Sequence, residues 1–444
     1  MLPRRTFLAC GSAGAPIVLL LRSGAAQQQQ KKGFRMKDER AMAAAESAAY
    51  LVVGGGVMGV SAAYHLAQAG AGRVVLIERD SELATRTTHG AAGFIAPWWC
   101  ASRSPGPELA IERYGMALYR ELASRHPIGL CANGLVHIAT TPASDAAIRR
   151  DAATARGALG ESEAELLEPD DLRALVPIVE RGRVASGLLV RGAFSLRAAD
   201  AIRALAAEFV QLGGEIRTGT AVERLLIADQ RICGVQTSAG AIEADGVVLA
   251  AGAWLGQLSQ RAGVPLPLLA TQASRFVTQP HAGIPANMPM LMFPAYHNLY
   301  LRPEAGGLLI GCEETVIHPP TLQADLAAIA GGGVPETGSA GVPAGGDSTH
   351  SYHLWLARAF ASVVPLLATI AVREVRMGSP TRVPDMRHIC GAAADVAGLY
   401  LLGADLECGM THGPGLGRML AQQILGHQPA TPVYRPDRWG AASA

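Results

Sequence analysis

The apolar run Ala49-Tyr50-Leu51-Val52-Val53 breaks into Gly54-Gly55-Gly56-Val57-Met58-Gly59 and then into apolar residues at helical spacing (Val57, Val60, Ala63, Tyr64, Ala67). A buried strand, a glycine turn and a helix in that order admit few folds. Gly54 permits a tight turn off the strand, Gly56 lets the backbone approach a pyrophosphate, and Gly59 lets helix and strand pack closely. The helix start then faces a phosphate with unpaired N–H groups and the positive end of its dipole. Gly70 and Gly72 stop the helix, and Arg73-Val74-Val75-Leu76-Ile77 reads as a second buried strand. Glu78 follows Gly54 by 24 positions, where a carboxylate hydrogen-bonds ribose hydroxyls and favours an unphosphorylated ribose, as in FAD or NAD.

At 444 residues the chain exceeds one ordinary domain, and two substructures are expected. Its 49% apolar content and 51 glycines suit close-packed α/β layers. Lys plus Arg (38) balance Asp plus Glu (37), so no field draws in nucleic acid or an acidic membrane surface. The seven cysteines form no CxxC pair and are odd in number, which predicts isolated core thiols with no zinc or other metal site. Residues 1–26 carry Arg4-Arg5-Thr6-Phe7-Leu8, a Gly/Ala-diluted apolar run and Ser23-Gly24-Ala25-Ala26, the pattern of a twin-arginine export signal and a periplasmic protein. A mitochondrial presequence competes with it, as does a start at Met36, which leaves the chain cytoplasmic. Residues 27–47 read as a disordered linker.

Further on, Ala198–Leu212 reads as a helix, followed by short strands at Glu215–Arg217, Ala221–Ile227, Ile232–Thr237 and Ile242–Asp245. The apolar strand Val247–Ala251 runs into Gly252-Ala253-Trp254. Alternating β segments fill Pro265–Ile310, clearest at Ser274–Thr278 and Asn298–Arg302; Gly331–Thr349 reads as a flexible insertion and Tyr352–Leu367 as a helix. The chain closes with strand Leu399–Leu402, a glycine-rich loop from Gly403, and a helix Leu416–Leu425 opened by Gly413-Pro414-Gly415-Leu416-Gly417. That second helix start can face a flavin ring and stabilise the negative charge a reduced flavin develops near N1. A nicotinamide enzyme has no evident use for it, so FAD is the expected cofactor.

These pieces, with Thr87-Thr88-His89-Gly90-Ala91-Ala92-Gly93, Tyr300-Leu301-Arg302-Pro303-Glu304 and Pro384-Asp385, resemble the FAD-dependent D-amino-acid oxidase superfamily over Ala48–Leu425. The nearest branch is similar to sarcosine oxidase β-subunit, glycine oxidase and dimethylglycine dehydrogenase. The resemblance implies an α/β fold in which a Rossmann-type FAD-binding domain (residues 48–135, 190–265 and 376–430) carries an inserted β-sheet-rich, α+β substrate domain (136–189 and 266–375, with the insertion at 331–349). It implies FAD contacts at Gly54, Gly56, Val57, Met58, Gly59, Glu78, Arg79, Thr87, Thr88, Ala92, Gly93, Val222, Ala251, Gly252, Trp254, Gly378, Gly409, Thr411, Gly413 and Gly415. The implied chemistry is oxidation of a small amine or amino acid (an N-methyl glycine, a D-amino or an imino acid), with hydride passing from C–H to flavin N5 and an imine formed. The electron acceptor is O2, a quinone or a partner protein. Two other readings stay open: oxidation of a different CH–X donor, and a flavin-containing assembly factor or subunit of a larger redox complex.

The sequence also departs from the family. Pro380 stands where relatives carry the Arg that clamps the substrate carboxylate, leaving Arg376, Arg382, Arg302 and Arg275 as replacements. Thr411 and Leu309 stand where monomeric sarcosine oxidases have the lysines that bind carboxylate and activate oxygen, and the second of these favours a dehydrogenase. Gly90 occupies the position of the flavin-linking His, with His89 one residue early, and the corresponding Cys falls near Gly378, so FAD is expected to be noncovalent. The catalytic candidates are His412, Arg302, Arg382 and Tyr300, with Tyr296, His297, Trp98 and Trp99 as further neighbours of the ring.

Overall fold

The computed structural model describes residues 46–97, 107–271, 273–295, 299–312 and 360–440. The export signal, nearly all of the linker, the 331–349 insertion, Trp98, Trp99, Tyr296 and His297 lie outside these residues. So does most of the helix expected at Tyr352–Leu367, whose described end contains the 3-10 turn Pro365–Ala368.

β1 (Glu46–Val53) leads through the glycine turn into α1 (Val57–Gln68) and β2 (Val74–Ile77), within a residue or so of the expected bounds except at the start of β1. α2 (Glu108–Ala123) and α3 (Ala198–Gln211) follow, then β3 (Glu215–Arg217) beside β2. β4 (Gly240–Leu249) joins into one strand the two pieces read separately in the sequence. β1 pairs in parallel with β2 on one side and β4 on the other. Strands covered on both faces need apolar runs, and Leu51, Val52, Val75 and Leu76 are fully buried.

The chain then builds a second, mostly antiparallel sheet. β5 (Ala273–Thr278), β6 (Leu299–Glu304) and β7 (Val372–Gly378) belong to its eight strands. Among the described residues its one parallel pair joins Met290–Phe293 to Leu135–Ala139. Phe276, Phe293, Leu301 and Phe360 are in its core. The chain returns to the first sheet as β8 (Leu399–Gly403), parallel to β4, and ends in α4 (Gly409–Ile424).

α4 starts seven residues before the expected Leu416, because Gly413, Pro414 and Gly415 read as loop in the sequence. Pro414 removes the N–H that would bond the Met410 carbonyl. The hydroxyl of the fully buried Tyr119, on α2, donates to that carbonyl at 2.9 Å instead. The glycines are required by packing. A Cβ on Gly413 would lie 2.6 Å from the Val57 side chain on α1. One on Gly415 would lie 2.7 Å from the Ile111 carbonyl oxygen on α2, and one on Gly417 2.6 Å from the Ser61 backbone. Gly413 and Gly415 therefore bring α4 against α1 and α2, and contrary to the sequence reading they do not line the cleft described next.

Candidate active site

A cleft of about 400 Å³ opens beyond the carboxyl ends of β1, β2 and β4, with Arg275 of β5 and Tyr300 of β6 on its far wall. Crevices at the carboxyl ends of parallel strands are where α/β folds bind dinucleotides. Gly54 has φ +118°, and a Cβ there would stand 2.4 Å from the Ala250 carbonyl oxygen. Gly59 is even closer: its Cβ would lie 1.9 Å from the Gly54 oxygen, so it serves packing and does not itself line the cleft. The Thr88 hydroxyl oxygen accepts from Val57 N–H at 3.1 Å. Glu78 accepts from Gly55 N–H at 2.6 Å and from Asp80 N–H at 2.9 Å. A carboxylate has about four acceptor sites, so capacity remains for ribose hydroxyls on its cleft side. Arg79 lies over the Trp254 ring at 3.6 Å, and Val222, Ala251 and Gly252 continue this wall.

Two helix starts face the cleft. α1 presents Val57 and Met58, and α4 presents Gly409, Met410 and Thr411; neither helix is capped by a side chain of its N-cap residue. Their positive ends suit the two places where FAD carries or develops negative charge, the pyrophosphate and the reduced ring. Glycines where the backbone must approach a ligand, the acid at the ribose position and the paired helix starts together fit the expected dinucleotide. Thr87, Ala92 and Gly93 also line the cleft. Gly378 does not: a Cβ there would press on Thr87 at 3.3 Å, and Ser379 N–H donates to the Thr87 hydroxyl at 2.9 Å. It braces the Thr87 segment from behind.

Of the catalytic candidates, Tyr300 alone lines the cleft. Burial raises its phenol pKa well above the usual value, so it is a protonated wall and not a base. Arg302 is spent on structure: it donates to the Ala92 carbonyl at 2.6 Å and pairs with Glu304 at 2.7 Å. Arg376 pairs with the same Glu304 at 2.9 Å and with Glu374 at 2.7 Å. His412 points away from the cleft into a buried chain. Its Nδ1 is 3.2 Å from His388 Nε2 and its Nε2 is 3.5 Å from Glu112. His388 Nδ1 in turn reaches the Ala404 carbonyl at 2.7 Å, and burial, then His412, depresses the His388 pKa to about 3. Arg382 lies behind the cleft wall, bonded to the Thr271 hydroxyl at 2.5 Å and to Glu407. Tyr300 thus lines the cleft while His412, Arg302 and Arg382 are engaged outside its lining, a difference that spacing does not show because it does not say which way a side chain points.

The structure adds Glu407 and Asp405, which the sequence reading passed over, and selects Arg275 among the arginines weighed. The two acids sit on a loop in which Ala404, Leu406 and Glu407 all have left-handed φ, at +54°, +54° and +62°. Each such non-glycine residue costs on the order of 1 kcal/mol or more, and such strain collects at functional sites. Thr381 holds the loop, donating its N–H and hydroxyl to Asp405 at 2.7 and 2.8 Å while its carbonyl accepts from Leu406 N–H at 3.0 Å. Burial raises the Asp405 pKa against the lowering effect of those bonds. Arg275 Nη2 stands 3.6 Å from Glu407 Oε2, with its guanidinium 6.0 Å from the Tyr300 ring centre. One sequence signal existed: an acid two residues before the glycine that opens α4.

Cys408, next to Glu407, is disulfide-bonded, which corrects the expectation of seven isolated thiols. Cys131, Cys233, Cys312 and Cys390 are thiols outside any disulfide. Among the described residues no group of three His, Cys, Asp or Glu side chains could hold a metal ion.

Comparison with known proteins agrees with this architecture. The chain is 28% identical over 388 residues to a 4-methylaminobutanoate oxidase (formaldehyde-forming) of Paenarthrobacter nicotinovorans, covering 85% of this chain and 44% of that one. It is 27% identical over 398 residues to the mitochondrial dimethylglycine dehydrogenase of Homo sapiens, covering 88% and 44%. The chain thus spans less than half the length of these two curated relatives. Among solved structures, an L-proline dehydrogenase from P. horikoshii superimposes with a TM-score of 0.74 at 19% identity, over 89% of this chain and 98% of that one, a likeness of fold. Residues 49–423 match the FAD dependent oxidoreductase family DAO, and the chain belongs to that family.

Proposed function

We propose that the chain oxidises a small amine or amino acid at the C–H beside its nitrogen, with hydride leaving for FAD held noncovalently in the cleft and the resulting imine hydrolysing. The observation that carries this reading is the Arg275–Tyr300–Glu407 end of the cleft, where a cation and an anion face a space closed by an apolar wall and overlooked by the α4 helix start. Such a place can bind and orient an amino acid, and hydride transfer needs positioning more than an acid–base pair. Bound FAD supplies the electron sink; the protein residues hold the donor and exclude water. Noncovalent attachment is supported by His89, which is exposed and not in the cleft lining. The relatives' activities on methylaminobutanoate and dimethylglycine support an amine donor. The buried Leu309, standing where an oxygen-activating lysine falls in the oxidases, supports a dehydrogenase.

The test is anaerobic titration of the FAD-loaded protein with a panel of amino acids and N-methyl amines. Bleaching of the oxidised flavin band by one of them is expected. No bleaching across the panel overturns the proposal, and rapid reoxidation by air of the reduced protein would make it an oxidase.

A further inference from the structure

Resting on that reading, we propose that Glu407 is the specificity-determining residue of the cleft. With Arg275 it receives a zwitterion whose positive nitrogen and carboxylate are one carbon apart, Glu407 reading the nitrogen and Arg275 the carboxylate.

The geometry carries this in three steps. First, both groups line the cleft at its Tyr300 end, yet their side chains are only 12% and 7% exposed. Charges that dry act on a ligand charge far more strongly than surface charges do. Secondly, the two are held apart and held differently. Arg275 Nη2 and Glu407 Oε2 are 3.6 Å apart, within ion-pair reach but beyond hydrogen-bond length. Glu407 Oε1 is gripped from behind by Arg382, which is 1% exposed and itself tied to Thr271 at 2.5 Å. This leaves Oε2 as the cleft-side oxygen. The left-handed backbone at Leu406 and Glu407 keeps the carboxylate aimed there, strain of the kind that survives where it serves a site.

Thirdly, opposite charges this close select by repulsion as well as attraction. A plain carboxylate that reaches Arg275 also meets the like charge of Glu407. A plain ammonium that reaches Glu407 meets Arg275. A ligand with both charges on one carbon satisfies both at their observed separation. A γ-amino acid, with three carbons between nitrogen and carboxylate, must fold back on itself to do the same.

The experiment follows perturbation of the flavin spectrum in the FAD-loaded protein by ligands that carry no nitrogen lone pair. The probes are trimethylglycine, 4-(trimethylammonio)butanoate and acetate. Wild type is expected to bind trimethylglycine at least tenfold more tightly than either of the others. Glu407→Gln is expected to abolish that preference, mainly by weakening trimethylglycine, whereas Arg275→Gln weakens trimethylglycine and acetate alike. Because Glu407→Gln leaves Arg382 buried without its anion, the double variant Glu407→Gln/Arg382→Met removes both charges and is expected to lose the preference in the same way. Absence of the preference in wild type, or its survival in both Glu407 variants, overturns the proposal. If amines bleach the wild-type flavin while the preference ignores Glu407, this inference alone falls; if no amine bleaches it, the proposed function falls first.

Discussion

Gly415→Ala tests whether the glycines of the last helix serve the flavin or the helix packing. In a helix interior Ala is favoured over Gly by about 1 kcal/mol. Against that, the new Cβ would meet the Ile111 carbonyl oxygen at 2.7 Å, its Cγ2 at 2.7 Å and its Cα at 2.9 Å. Two of these three atoms are backbone, so a rotamer change cannot relieve the contact and α2 must move. Overpacking a core costs about 1–3 kcal/mol, and a backbone contact belongs at the upper end, leaving a net loss of about 2 kcal/mol. With an unfolding entropy of about 2.1 cal/mol/K per residue, a protein of this size should lose about 2–3 °C in Tm. Thermal unfolding followed by circular dichroism, on protein stripped of FAD and on protein loaded with it, should show the same drop in both. If Gly415 faced the flavin instead, the stripped protein would gain the helix-propensity term and only FAD affinity would fall. A raised Tm in stripped Gly415→Ala would therefore refute the packing account.

Three other outcomes are expected. Tyr119→Phe strands the Met410 carbonyl that Pro414 leaves unbonded, and should cost about 1–3 kcal/mol in denaturant unfolding. Glu78→Ala removes the acceptor expected for the ribose hydroxyls together with that of Gly55 N–H. A bond to a charged acceptor is worth about 1.5–3 kcal/mol, so FAD affinity, measured by fluorescence of released flavin, should fall roughly tenfold to a hundredfold. His65 is held neutral, burial depressing its pKa from 6.5 to about 4. The unfolded imidazole binds its proton first on acidification. Stability is thus full above about pH 6.5 and declines as pH falls toward 4, by up to ~1.4 kcal/mol per pH unit from this group. His65→Gln should flatten that slope in unfolding titrations, and an unchanged slope would show that His65 is not the group responsible.

The nucleotide half of the site was legible in the amino-acid sequence because it is local. Val52 to Glu78 is one strand–turn–helix–strand unit, and Gly54 has the positive φ and Gly59 the close approach that the spacing implied. Backbone conformations that only glycine accepts, and apolar runs that only a covered strand needs, leave their mark position by position. The C-terminal glycines left the same mark for a different reason. Gly413 and Gly415 look like a loop, but α1 and α2 lie against them, and Tyr119, nearly three hundred residues earlier, replaces the hydrogen bond that Pro414 forgoes. The reaction half was decided almost wholly by tertiary structure. Arg302, Arg376, Arg382 and Arg275 are equivalent as letters. The acids already paired with the first two, and the strand side from which Arg275 emerges, leave Arg275 facing the cleft with Glu407 and put Arg382 behind it. The sequence by itself determined that a dinucleotide site would form at the end of β1, since its constraints lie within one local unit. Which charges meet the substrate was left to the fold, because a charge's role depends on partners brought to it from distant parts of the chain.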